Sequence, residues 1–141
     1  MLVNVQDYMY DKHIGGTVLW NPREASKTKE GYTYSPATGL EHEMAHALDY
    51  LTNPKAHNAR VDATDKQYDN KEERRVITGP EAKTAQANGE FPKGYVRTDH
   101  EYSSIRVSDP TKTTPVSTET PQQKQVSSPT MWERFWQWWN N

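Results

Sequence analysis

The 141-residue chain has no cysteine. Disulfides and thiolate metal sites are therefore excluded, and any metal must be held by histidines and carboxylates. The absence assigns no compartment, because a cysteine-free chain folds equally well inside or outside a cell. Apolar residues are scarce at 33%, below the usual globular share, and the mean hydropathy is −1.09. A core must be concentrated in part of the sequence. No apolar stretch approaches a membrane span, and residues 1–30 lack the apolar segment of a conventional signal peptide. Basic runs are missing too. With a net charge of −2 and a pI near 6.2, neither nucleic acid nor a membrane surface is an expected partner. The abrupt opening MLVNVQDYMY suits a domain excised from a longer polypeptide, and export would depend on another system.

The composition breaks at about residue 108. From Ser108 to Thr130 the chain is almost entirely Ser, Thr, Pro, Gln and charge. Such a segment buries too little apolar surface to offset its ordering entropy and reads as a flexible linker. Residues 1–107 are the candidate domain, 108–130 the linker and 131–141 an aromatic tail. Within the domain, Gly16 to Trp20 reads as a short strand ended by Asn21-Pro22, and residues 23–34 as a polar loop or hairpin. Thr38 and Glu41 fit a capping box at the start of a helix from Leu40 to about Leu51. That helix places Leu40, Met44, Ala47, Leu48 and Leu51 on one face, until Asn53-Pro54 ends it. Residues 55–70 read as loop. A second helix is expected from Asn70 until Gly79-Pro80 interrupts it, and a weaker third from Glu81 to Ala87.

His42 and His46 lie four apart and project from one side of the first helix. Two imidazoles at that spacing can bind one zinc ion. Glu43 sits between them, where it can take a proton from water acidified by the metal. This is the HExxH arrangement of zinc peptidases. Chance produces it in about one shuffled chain in a hundred of this composition, and here it falls in a capped amphipathic helix. A catalytic zinc needs a third protein ligand and an open position. Neither cysteine nor a third histidine at the extended spacing is available, so a carboxylate from a second helix is the natural choice. Glu73 is favoured and Glu72 is the alternative. Adjacent helical positions diverge by about 100°, so only one of the two can face the metal. Asp49, on the same face as both histidines, reads either as a carboxylate orienting a ligand ring or as an ordinary exposed Asp.

The segments SPATGLEHEMAHALDY and NKEERRVITGPEAKTAQANGEFPKGYVRTDHEY resemble the NleD-like effector metallopeptidases, whose related domains sit at the C-termini of Rhs-type toxins. The resemblance covers about residues 15–102. It implies zinc held by His42, His46 and Glu73, with Glu43 as general base. It also implies a small zincin-like α+β domain with an active-site helix, a short edge sheet and a second, ligand-bearing helix. The Gly16 to Trp20 strand would lie at the sheet edge and could hold an extended peptide, although Val18 and Trp20 equally suit a core. A wider likeness to gluzincins, including clostridial neurotoxin light chains, suggests an Arg-x-x-Tyr pair near the metal. Here Arg97-Thr98-Asp99-His100 gives Arg-x-x-His, with Tyr102 close by. Arg97 is then the candidate charged donor to a developing oxyanion, with His100 or Tyr102 as a second donor. An ordinary polar loop accounts for these residues equally well.

In the tail, Trp132, Phe135, Trp136 and Trp139 share one helical face, which should dock on the domain, on a partner or at a membrane interface. The tail's near-zero charge disfavours the membrane, and self-docking ranks first. The leading functional reading is a toxin- or effector-type zinc endopeptidase acting on a protein or peptide, with an immunity or carrier protein as a further partner. It would be cytoplasmic in the producer and then secreted or delivered into a target cell. A non-catalytic zinc-bound module that recruits a partner through the tail is the alternative. A third reading treats the motif as coincidence.

Overall fold

The computed structural model describes residues 2–4 and 17–117. The tail at 131–141 and the expected linker from residue 118 onward lie outside the described residues.

The architecture is α+β. Strands β1 (Leu2–Asn4) and β2 (Thr17–Leu19) form an antiparallel pair. Strands β3 (Glu24–Thr28), β4 (Thr33–Tyr34) and β7 (Tyr102–Arg106) form a three-stranded antiparallel sheet in the order β4-β3-β7. The hairpin reading of residues 23–34 therefore describes β3 and β4, joined by a turn in which Gly31 adopts φ 96°, a conformation glycine reaches without a Cβ clash. The strand around Val18 does not sit at the edge of this sheet. It pairs with β1 instead, and Val18 is buried. The Trp20 indole donates to the Pro36 carbonyl at 2.7 Å, tying that strand's end to the start of the first helix.

Helix α1 runs from Pro36 to Thr52, starting earlier than the periodicity suggests. Its cap is Ser35, whose hydroxyl accepts from the Thr38 amide, and Pro36 occupies the first turn where its missing N–H is not needed. Thr38 is not the cap: its hydroxyl donates to Glu90 at 2.6 Å and is buried. The helix also faces the other way from the apolar reading. Its buried side carries Thr38, His42, His46 and Ala47, whereas Met44, Leu48 and Leu51 are exposed. Residues 55–70 are not all loop. Helix α2 (Pro54–Val61) follows α1 at once, with Pro54 in its first turn, and a small hairpin of β5 (Thr64–Asp65) and β6 (Asp69–Asn70) comes next. Only His57 of α2 is buried, so no apolar stripe marks it.

Asn70 caps α3 (Lys71–Val76), accepting from the amides of Glu72 and Glu73. Gly79-Pro80 does not break this helix. Ile77–Glu81 forms a π turn, and α4 (Ala82–Ala87) continues from it. Pro80 has no N–H to give, and a wider turn absorbs that gap without a full stop. Gly89, at φ 72°, terminates α4.

The apolar core is small. Tyr34, Ala85 and Phe91 cluster with Tyr95 against them, the rings meeting edge to face. Nearly as many polar as apolar residues are buried among those described, including three glutamates, three histidines and Arg97. Beyond Val107, where the linker was expected to begin, the chain still touches the domain. The Pro110 carbonyl accepts from the Ala37 amide, and the Val116 amide donates to the Arg106 carbonyl, each at 2.9 Å.

Replacing the cap, Ser35→Ala, is expected to lower unfolding stability by about 1 kcal/mol. Glu41→Ala, which removes the other half of the capping box read from the sequence, should change it by less than half as much. Chemical denaturation of the two variants checks both.

Candidate metal centre

Helix α1 delivers His42 and His46 to the interior, one turn apart. Their Nε2 atoms are 3.2 Å apart. Glu73, projecting from the first turn of α3, completes the cluster. Its Oε2 lies 3.3 Å from His42 Nε2 and its Oε1 3.3 Å from His46 Nε2. The three ligand atoms are close enough for one ion, and all three residues are buried.

The outward nitrogens decide how these rings are used. His42 Nδ1–H donates to Glu81 Oε2 at 2.7 Å, and His46 Nδ1–H donates to Glu72 Oε1 at 3.1 Å. A carboxylate only accepts, so each Nδ1 must carry the proton and each neutral ring presents its Nε2 lone pair inward. Two lone pairs and a carboxylate then face one another in a buried space, and Glu73 Oε2 has no hydrogen-bond partner. Such an arrangement is unfavourable unless positive charge lies between the groups. A nitrogen–nitrogen–oxygen donor set of this kind suits a divalent ion of borderline softness. The residues present therefore fit a metal.

Without a cation, protons take over that role. Burial depresses the pKa of His42, but the carboxylates of Glu73 and Glu81 outweigh it and raise the pKa well above the ordinary imidazole value. His46 follows the same pattern with Glu72 and Glu73. Burial raises the pKa of Glu73, but its two histidines more than reverse this and hold the carboxyl well below the usual range.

Both glutamates behind the histidines are themselves held by arginines. Arg97 grips Glu81 bidentately, Nε to Oε1 at 2.7 Å and Nη2 to Oε2 at 2.8 Å. Its Nη1 donates to the His100 carbonyl at 3.1 Å, and its guanidinium lies over the Tyr34 ring. Arg97 is thus placed behind His42, with every nitrogen hydrogen-bonded inside the domain. Glu72 meets Arg60 at 2.6 Å and Arg75 at 2.5 Å. Glu72 and Glu73 diverge as adjacent helical residues do, one toward the back of His46 and the other toward the ligand nitrogens.

Asp49 does not meet a ligand histidine. It binds His57 Nδ1 at 2.9 Å and pairs with Arg60. Asp49, His57 and Glu72 form a second cluster of metal-ligand type. There, however, Arg60 and Arg75 already supply the positive charge, so a further cation has little to gain.

Glu43 is half-buried beside the ligand face. Tyr102, at the start of β7, is 40% exposed. Its phenol pKa is raised by desolvation and then by the charges of Glu43 and Glu24, so it lies within electrostatic reach of Glu43. His100 Nε2 is 3.5 Å from Glu73 Oε2, and its Nδ1 contacts Asp69. Asp69 holds φ 68°, rare for a residue with a side chain. The sequence reading missed Glu81, His57, Arg60 and Asp69. Glu81 had a usable signal, a second helical carboxylate two turns beyond Glu73, hidden by the apparent break at Gly79-Pro80.

A model of the Peptidase M91 family, described as "Effector protein", matches residues 7–103. That span includes every residue of the site. No curated protein and no solved structure matches the chain.

The raised histidines and lowered Glu73 set the pH behaviour of the metal-free chain. The histidine contribution is complete below the unfolded imidazole pKa of about 6.5 and is lost as pH rises through the raised folded values. The Glu73 contribution is present above about 4.3 and is lost as pH falls through its lowered value. Metal-free protein should therefore lose stability on the alkaline side of neutrality, while metal affinity rises over the same range as the protons leave. Thermal melts with and without zinc, as a function of pH, check this.

Proposed function

The chain belongs to the Peptidase M91 family of effector proteins, and we propose that it is a zinc-dependent endopeptidase that hydrolyses a protein substrate. The observation that carries this reading is the convergence of two imidazole nitrogens and one carboxylate, with both rings locked from behind by glutamates. His42, His46 and Glu73 would hold the zinc, which when bound supplies Lewis acidity, making water more acidic and a carbonyl more electrophilic.

The chain's own residues do the rest. Glu43, next to His42 on the helix, takes the proton of the attacking water and passes it to the departing amine. His100 stands at the rim of the cluster with its Nδ1–H held by Asp69; as an imidazolium it would also carry an Nε2–H that can donate to the oxygen that gains charge. Tyr102, at the start of β7, is the candidate second donor. Arg97 acts as a positioning residue here rather than as the oxyanion donor. It fixes Glu81, which fixes the His42 ring. An effector peptidase acts on protein substrates, and family membership supports delivery into a target cell from the producer's cytoplasm. An immunity or carrier protein would fit that life cycle.

Glu43→Gln should abolish cleavage while leaving about one zinc per chain. His42→Ala and Glu73→Ala should each lose the metal, and Glu72→Gln should weaken it without removing it. Metal analysis by mass spectrometry alongside a proteolysis assay separates these outcomes. A folded wild type that takes up no zinc after reconstitution would falsify the reading.

Arg97→Met should weaken zinc binding by about 10–100-fold, as loss of an outer partner does. If Arg97 were instead the oxyanion donor, the same change would leave zinc affinity intact and lower kcat alone. Competition with a chromogenic chelator decides between the two.

A further inference from the structure

Helix α1 has a second face that the metal centre does not use. Met44, Leu48 and Leu51 are 49%, 63% and 58% exposed. At about 100° per residue they fall within a narrow stripe on the side opposite His42 and His46. In a chain so short of apolar residues, three large ones in a row at the surface mark a covered face. We propose that this stripe is the docking site of the chain's own C-terminal aromatic segment, residues 132–139.

The spacing matches. Trp132, Trp136 and Trp139 repeat at i, i+4 and i+7, the same interval as Met44, Leu48 and Leu51. On a helix that interval spans about 10 Å, the length of the stripe on α1. The reach is sufficient. The Pro110 carbonyl sits on the Ala37 amide at the start of α1, and Val116 is still hydrogen-bonded to Arg106. From residue 118 to 131 the chain can extend up to about 46 Å, against a length of about 25 Å for α1.

Size argues for an internal occupant. Three side chains offer far less than the roughly 800 Å² a side that a stable interface between separate chains needs. A tether raises the effective concentration of the tail to the millimolar range, where a small apolar contact suffices. The tail's aromatic rings, each able to bury roughly 150–250 Å², would cover α1 while leaving the opposite, ligand-bearing face open. The docked tail thus braces the active-site helix from behind without blocking substrate.

Hydrogen exchange followed by mass spectrometry on the full chain tests this. In the wild type, amides of 131–141 should exchange at least about tenfold more slowly than in Leu48→Asp, whose substitution at an exposed site spares the fold. Trp136→Ser should release the tail equally and raise binding of an apolar dye to the uncovered stripe. The proposal fails if the wild-type tail exchanges at the unprotected rate. It fails too if protection survives both Leu48→Asp and Met44→Asp. Protection that fades on dilution would assign the stripe to a second copy of the chain instead.

Discussion

The structure depends on balancing charge around two buried imidazoles. Three carboxylates, from Glu72, Glu73 and Glu81, crowd behind and between the histidines of α1, and a fourth, from Asp49, adjoins them through His57 of α2. Three guanidiniums, from Arg60, Arg75 and Arg97, answer them. Buried carboxylates without such partners would be far too costly to keep ionised. Among the described residues, Glu73 is the one of the four whose ion pairs are all with histidines. The surplus negative charge therefore falls where the two Nε2 lone pairs meet. Charge balance, as much as ligand geometry, points a cation to that position and away from the Asp49–His57–Glu72 cluster.

The same balance accounts for the interior of a domain with so little apolar material. Helices α1, α2 and α3 meet through ion pairs, Asp49 to His57 and Arg60 and Arg60 to Glu72, and through a hydrogen bond from Arg75 to the Ala45 carbonyl. Arg97 then ties the loop before β7 to the π turn through Glu81. The polar groups that shape the candidate site are thus also the packing contacts between elements. Their removal affects both roles, so metal content has to be read beside activity.

The parts legible in the sequence were those with a local rule. His42, Glu43 and His46 stand out by helical spacing, and the angle between adjacent positions says that only one of Glu72 and Glu73 can face the two histidines. What stayed hidden was non-local. The apolar stripe of α1 looks like a core face only if cores are assumed apolar; here the buried face carries His42 and His46. Helix α2 has no stripe because its one buried side chain, His57, is polar. Arg97 looked like a free donor near the metal, because nothing local marks its bidentate partner sixteen residues earlier.

That partner is placed by the feature that looked most like a break. In a regular α-helix Glu81, eight residues after Glu73, would be rotated from it by about 80°. The π turn at Ile77–Glu81 accommodates about one extra residue without advancing the helix face. This brings Glu81 back to within about 20° of Glu73 and two turns along. Both carboxylates can then reach the same imidazole from opposite ends, Glu73 at Nε2 and Glu81 at Nδ1. Gly79 and Pro80 favour that wider turn: the first adds backbone freedom, and the second removes an N–H that a regular ladder would use. A dipeptide that normally ends helices here sets the register that brings two carboxylates of one helical run to the two ends of the His42 ring.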